Sequence, residues 1–107
     1  MGSLYKSLSW ALSYNMPEVI FKVKWPDGKV DACYSPSTVI NNYLKQGELY
    51  SVHDFVELSS TALNLASNKV LQKYGFRCTS AENQLHSIIE KSKSYNSEDM
   101  ITCLSLE

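Results

Sequence analysis

The chain has 107 residues, 44% hydrophobic and 20% charged, a size and balance that suit one globular domain with its own core and exclude disordered and fibrous architectures. Ten Lys and Arg against eleven Asp and Glu leave a net charge of -1, which lacks the positive field that binding to a phosphate backbone requires, so nucleic acid is not an expected partner. The apolar runs extend only a few residues, against the roughly 20 that cross a bilayer, and no membrane association is expected.

In the stretch Met1 to Asn15, serines interrupt Leu4, Leu8, Trp10 and Leu12, so no continuous apolar core of a signal peptide forms. This stretch is expected to be a disordered extension, with one domain over residues 16–106. Cys33, Cys78 and Cys103 are odd in number and widely spaced, a usage that fits reduced thiols in the cytoplasm better than a disulfide framework.

From Glu18 to Trp25, apolar Val19, Phe21, Val23 and Trp25 alternate with Glu18, Ile20, Lys22 and Lys24, the period of a half-buried strand. Pro26-Asp27-Gly28 reverses the chain, since Pro fixes φ, Asp bonds its own backbone and Gly tolerates positive φ. Val30, Ala32 and Tyr34 resume the alternation, and the two strands form a hairpin. Ser35-Pro36 reads as a helix start ahead of Val39, Ile40, Tyr43 and Leu44, with Gly47 as the stop. Ser51 and Asp54 approximate a capping box for a longer helix whose stripe runs through Phe55, Val56, Ala62, Leu63, Ala66, Val70 and Tyr74 to Gly75. Thr79 and Glu82 repeat the box ahead of Ala81, Leu85, Ile88 and Ile89, predicting a third helix. Met100 to Leu106 is apolar and of strand length. The expected fold is α+β in the order ββαααβ: a small, mainly antiparallel sheet of the hairpin and the C-terminal strand, packed on three helices.

Chemistry-bearing residues are few. Cys33, His53, Cys78, His86 and Cys103 show neither C-x-x-C nor H-x-x-x-H spacing, so no metal or other cofactor is expected. Cys33 near a strand end and Cys78 ahead of a helix N-terminus are the thiols best placed for reactivity. Trp25 and Asp27 at the hairpin turn form a candidate recognition knob, although closing the sheet and making the turn account for both. Lys73-Tyr74-Gly75-Phe76-Arg77 interleaves cations with aromatics, which helix-end chemistry explains, with Phe76 packing back on the core. Glycines are isolated, and no phosphate-cradling loop exists.

Trp25-Pro26-Asp27-Gly28, Cys33-Tyr34-Ser35-Pro36-Ser37, Ala62-Leu63 with Ala66-Ser67, and Lys73-Tyr74-Gly75-Phe76-Arg77-Cys78 resemble, in this order, the small nitrogen-starvation-response protein family of bacteria. The resemblance covers Met16 to Leu106 and implies a cytoplasmic protein. It also implies genomic company with a nitrilase-like enzyme, a radical-SAM protein and an acetyltransferase-like protein. It carries over no catalytic residue, so Trp25, Asp27, Cys33, Tyr34, Ser35, Tyr74 and Cys78 stand as binding candidates only. The function expected is that of an accessory or adaptor protein that binds the nitrilase-like or radical-SAM protein, or a small molecule. The alternative is a small thiol-dependent enzyme or carrier using Cys33 or Cys78. Self-association through an exposed edge of the C-terminal strand is a third expectation.

Overall fold

Alternating side chains build the first hairpin in a computed structural model that describes residues 17–107; the extension expected over Met1 to Asn15 lies outside the described residues. Strand β1 (Val19–Lys24) pairs antiparallel with β2 (Val30–Ser35), Val19 opposite Ser35 and Lys24 opposite Val30. At the turn the Gly28 N–H donates to the Trp25 carbonyl and the Trp25 N–H to the Lys29 carbonyl, both at 2.8 Å. Gly28 closes the loop at φ 91, a conformation that a Cβ would strain.

That loop sets a register the apolar pattern of β2 did not foretell. Directly opposed residues share a sheet face, and Val23 lies opposite Asp31 and Phe21 opposite Cys33. Cys33 and Ser35 therefore point inward, while Val30, Ala32 and Tyr34, which the sequence marks as the regular apolar positions, face outward.

The expected three-helix arrangement is corrected. Among the described residues there are two α-helices, and the segment after Ser35-Pro36 is one 3-10 turn, Thr38–Asn42. Thr38, Val39 and Ile40 are β-branched and Asn41 and Asn42 are weak helix formers, so bonds of the tighter i to i+3 kind, as from the Tyr43 N–H to the Ile40 carbonyl at 3.0 Å, close the turn without propagation. Ser37 and not Ser35 caps it, its Oγ accepting from the Val39 N–H at 3.2 Å. Ser35 ends β2 in the interior and donates to the Ser37 carbonyl at 2.8 Å.

A fourth strand, β3 (Leu49–Ser51), follows, and the last strand, β4 (Met100–Leu106), lies between β3 and β1. The sheet is antiparallel with the order β2-β1-β4-β3, so the chain reads β, β, 3-10, β, α, α, β instead of ββαααβ. β4 pairs with β3 over Met100 to Thr102 and with β1 over Thr102 to Leu106, and among the described residues the outermost strands are β2 and β3. Opposite Lys22 and Val23, β4 carries the extra residue Leu104 between Ser105 and Cys103, a bulge that bends the strand.

Helix α1 (Val52–Tyr74) starts where expected, the Asp54 N–H donating to Ser51 Oγ at 3.0 Å. It ends at Gly75, with φ 81 and an N–H donated to the Leu71 carbonyl at 2.8 Å. Helix α2 (Thr79–Ser92) has Cys78 at its N-cap with no side-chain bond, so the Thr79–Glu82 capping box does not form. Glu82 turns to Arg77 instead. Phe76 does not return to the core: it is 64% exposed and stacks on Tyr74 at 6.0 Å between ring centroids.

Both helices cover one sheet face. Phe21, Val23, Trp25, Cys33, Ile101 and Cys103 meet Phe55, Leu63 and Ile88 with Ile40 and Leu44 in one core, each large apolar side chain contributing about 1.5–3 kcal/mol by leaving water. No helix among the described residues is long and apolar enough to cross a membrane.

Candidate functional site

Trp25 and Asp27, adjoining on the hairpin turn, belong to a network that the sequence only half discloses. The ring of Trp25 is buried, meeting Phe55 edge-on at 5.8 Å and stacking on Tyr95 at 5.4 Å. Its Nε1–H donates to Asp31 Oδ2 at 2.8 Å, and Lys91 Nζ donates to the same oxygen. Tyr95 donates its hydroxyl to Asp27 Oδ2 at 2.9 Å, and the Lys29 amide donates to Asp27 Oδ1 at 3.0 Å. Lys91 holds the Asp31 carboxyl below the usual range, and the Lys29 amide does so for Asp27. Both carboxylates are thus ionised and partnered, which makes this a clamp between the turn and the end of α2 and leaves no poised acid or base. A shallow recess of about 230 Å³ opens beside it, lined by Trp25, Lys29, Asp31, Lys91, Ser94 and Tyr95. Lys91 and Tyr95 were missed because their partners lie 60 and 68 positions away; the one local signal, for Asp31, was an indole N–H that must find an acceptor when buried.

The remaining candidates separate. Cys33 is buried opposite Phe21, and loss of solvation pushes its thiol up to about 12. Burial raises Cys103 as well. Protonated thiols in an apolar core pack as small hydrophobes and do not act as nucleophiles. Cys78 is half-buried at the start of α2. Tyr34 is its neighbour, the hydroxyl raised first by burial and then by the proximity of Cys78 and Glu18. The Tyr34 N–H donates to Gln84 Oε1 at 3.0 Å. Ser35 spends its hydroxyl on the Ser37 carbonyl, and Tyr74 stacks at the far end of α1. The structure brings Trp25 near Asp27 and Tyr34 near Cys78, and does not assemble the seven into one pocket.

On the first two turns of α1, His53, Asp54 and Glu57 place ligand-type atoms within 4.8 Å of one another, with His53 Nε2 at 3.6 Å from Glu57 Oε2. Searching thiols and imidazoles alone overlooked this grouping. All three are exposed, and the positive end of the helix opposes a cation there.

Two surfaces remain. One recess, of about 660 Å³, runs between the 3-10 turn and α1 and is lined by Val39, Tyr43 and Leu65 with Asn42, Asn68, Lys69 and Gln72. The second surface is the sheet face away from the helices. Of the eight large apolar residues exposed among the described residues, five lie on the strands: Ile20, Val30, Leu49, Met100 and Leu104. Exposed Lys22 and Lys24 on β1 stand among them. Alternation is the physical cause: the same strands that bury Phe21, Val23, Ile101 and Cys103 must present the intervening residues to the opposite side.

Comparison with curated proteins and with solved structures finds no match in either set. The family described as nitrogen starvation-induced protein NitG matches residues 20–106, from the second residue of β1 to the end of β4, and the chain belongs to that family.

Proposed function

We propose that this nitrogen starvation-induced protein is an adaptor, docking another protein on the open face of its sheet. The observation that carries this reading is that Ile20, Val30, Leu49, Met100 and Leu104 are exposed on the one sheet face that no described helix covers, since exposed apolar side chains rimmed by polar ones mark interaction sites. Lys22 and Lys24 within the patch favour a partner that rims its own apolar surface with carboxylates. The partners proposed are the nitrilase-like enzyme and the radical-SAM protein that the family resemblance implies as genomic company. Mixing each with this protein at micromolar concentration, followed by sizing chromatography, tests the reading. A complex with one of them, weakened by Leu49→Glu and by Leu104→Glu, is expected. Absence of a complex with either, or a complex indifferent to both substitutions, removes it.

One observation favours a second reading, thiol chemistry at Cys78. This side chain is half-buried, sits where free helix amides face it, and spends no hydrogen bond on capping. Alkylation followed against pH separates the two: a Cys78 that reacts as an ordinary thiol leaves the adaptor reading alone.

A further inference from the structure

The recess of about 660 Å³ beside the 3-10 turn falls within the roughly 300–1,000 Å³ that small-molecule sites occupy. Its first wall is a row on α1: Leu65, Asn68, Lys69 and Gln72 stand at i, i+3, i+4 and i+7, and so lie along one side of the helix. Ala62, Leu63, Ala66 and Val70 are the buried residues beside that row and carry the packing of α1 on the core, which leaves the row itself outside. The second wall, Val39, Asn42 and Tyr43, comes from the 3-10 turn and the residue that ends it.

The polar groups of this lining are unengaged. Among the described residues, the side chains of Asn42, Tyr43, Asn68, Lys69 and Gln72 have no hydrogen-bond or ion-pair partner within the chain. Other recesses differ in this respect: between β2 and α2, Gln84 is held by the Tyr34 amide and Lys91 by Asp31, and between α1 and α2, Arg77 is held by Glu82. Asn42, Asn68 and Gln72 each offer a donor and an acceptor, and the Tyr43 hydroxyl offers both. Lys69 is the one charged side chain of the lining, and no carboxylate stands in it.

We infer that this recess binds a small monocarboxylate that carries an amide group and a flat apolar end. The Lys69 ammonium takes the carboxylate, the carboxamides pair with the amide N–H and C=O, and the apolar end lies among Val39, Tyr43 and Leu65. Charge decides against larger occupants. Residues 1–16 contain Lys6 and neither Asp nor Glu, so they bring Lys69 no counter-charge. A second copy docked on this surface would repeat the same lining across a two-fold axis, Lys69 included, and that lining holds no carboxylate either. A single carboxylate on a ligand of this size supplies what both lack.

Hippurate, a benzoyl ring joined through an amide to a carboxylate, is the probe, and its neutral carboxamide, hippuramide, is the control. Titrated into the full chain and followed by nuclear magnetic resonance, hippurate is expected to bind with a Kd at or below about 1 mM, the range open to a ligand of its size, and to shift the side-chain amide signals of Asn42, Asn68 and Gln72. Hippuramide binds more weakly by about tenfold or more, since it lacks the charge-assisted bond to Lys69. Lys69→Met removes that difference and leaves both probes equally weak. Leu65→Glu, at an exposed helix position, sets a carboxylate beside Lys69 and abolishes hippurate binding. Circular dichroism checks that both variants keep the fold, and the comparison of the two probes on the unaltered chain decides the matter without them. Absence of shifts at Asn42, Asn68 and Gln72, equal affinity for the two probes, or indifference of hippurate to Lys69→Met in the folded variant overturns the inference. So do shifts of the same signals on raising the protein concentration alone, because a second copy then fills the recess. None of these outcomes bears on Leu49 or Leu104, so the adaptor face stands or falls separately.

Discussion

On β1, Phe21 and Val23 retain no exposed surface, while Ile20, one position away, keeps 39% of its surface open. The same contrast runs through β4, where Ile101 and Cys103 are buried and Met100 and Leu104 are exposed. Two faces of one sheet, drawn from neighbouring residues of similar apolarity, thus occupy different solvents. The inner face holds the fold together, and the outer face contributes little to stability.

The largest effect expected from this contrast is on the inner side. Phe21→Ala should cost about 3–5 kcal/mol of unfolding free energy by emptying the centre of the core, read from urea denaturation. A loss under about 1 kcal/mol would mean that the core is not built around β1. Alkaline titration comes next. The Cys33 thiol ionises near 9.0 when unfolded and near about 12 when folded. Its contribution is therefore intact below pH 9 and is lost as pH rises toward 12, on the order of 4 kcal/mol. Cys33→Ala should flatten that decline, and an unchanged slope would place the thiol in contact with water.

Smaller still is the clamp. Asp31→Ala strands the buried Trp25 N–H and should cost about 1–3 kcal/mol, most of it from the indole, because the Lys91 contact is screened by solvent. Both Asp27 and Asp31 have folded pKa values below the ordinary 3.8, so their contribution is present above that pH and is lost as pH falls below it. Asp31→Ala should soften this acid limb. At the bottom of the scale, Ile20→Thr and Leu49→Ser on the outer face should shift stability by no more than about 0.5 kcal/mol. A shift of several kcal/mol from either would show that the outer face is covered and would end the comparison.

How far the site was legible follows from distance along the chain. Trp25 and Asp27 announced the turn because Pro26 and Gly28 sit beside them, yet the clamp that employs them required Asp31, Lys91 and Tyr95, the last 68 positions from Asp27. Cys33 and Cys78 were nominated by nearness to element ends, a local signal blind to burial; register sent Cys33 inward and left Cys78 at a helix start. Val30, Ala32 and Tyr34 form the cleanest local alternation in β2 and lie on the solvent side, because the turn at Gly28 and pairing with β1 outweighed the apolar pattern.

The sequence by itself determined the β1–β2 hairpin, the long helix from Ser51 to Gly75 and the apolar last strand, since each rests on periodicity, capping and turn residues that act over a few positions. Only the tertiary structure decided that Thr38–Asn42 stops at one 3-10 turn, that Leu49–Ser51 is a strand, and that β4 lies inside the sheet. Three residues such as Leu49–Ser51 carry no period of their own, and they become a strand only because β4, far along the chain, supplies the backbone partners that their N–H and C=O groups need.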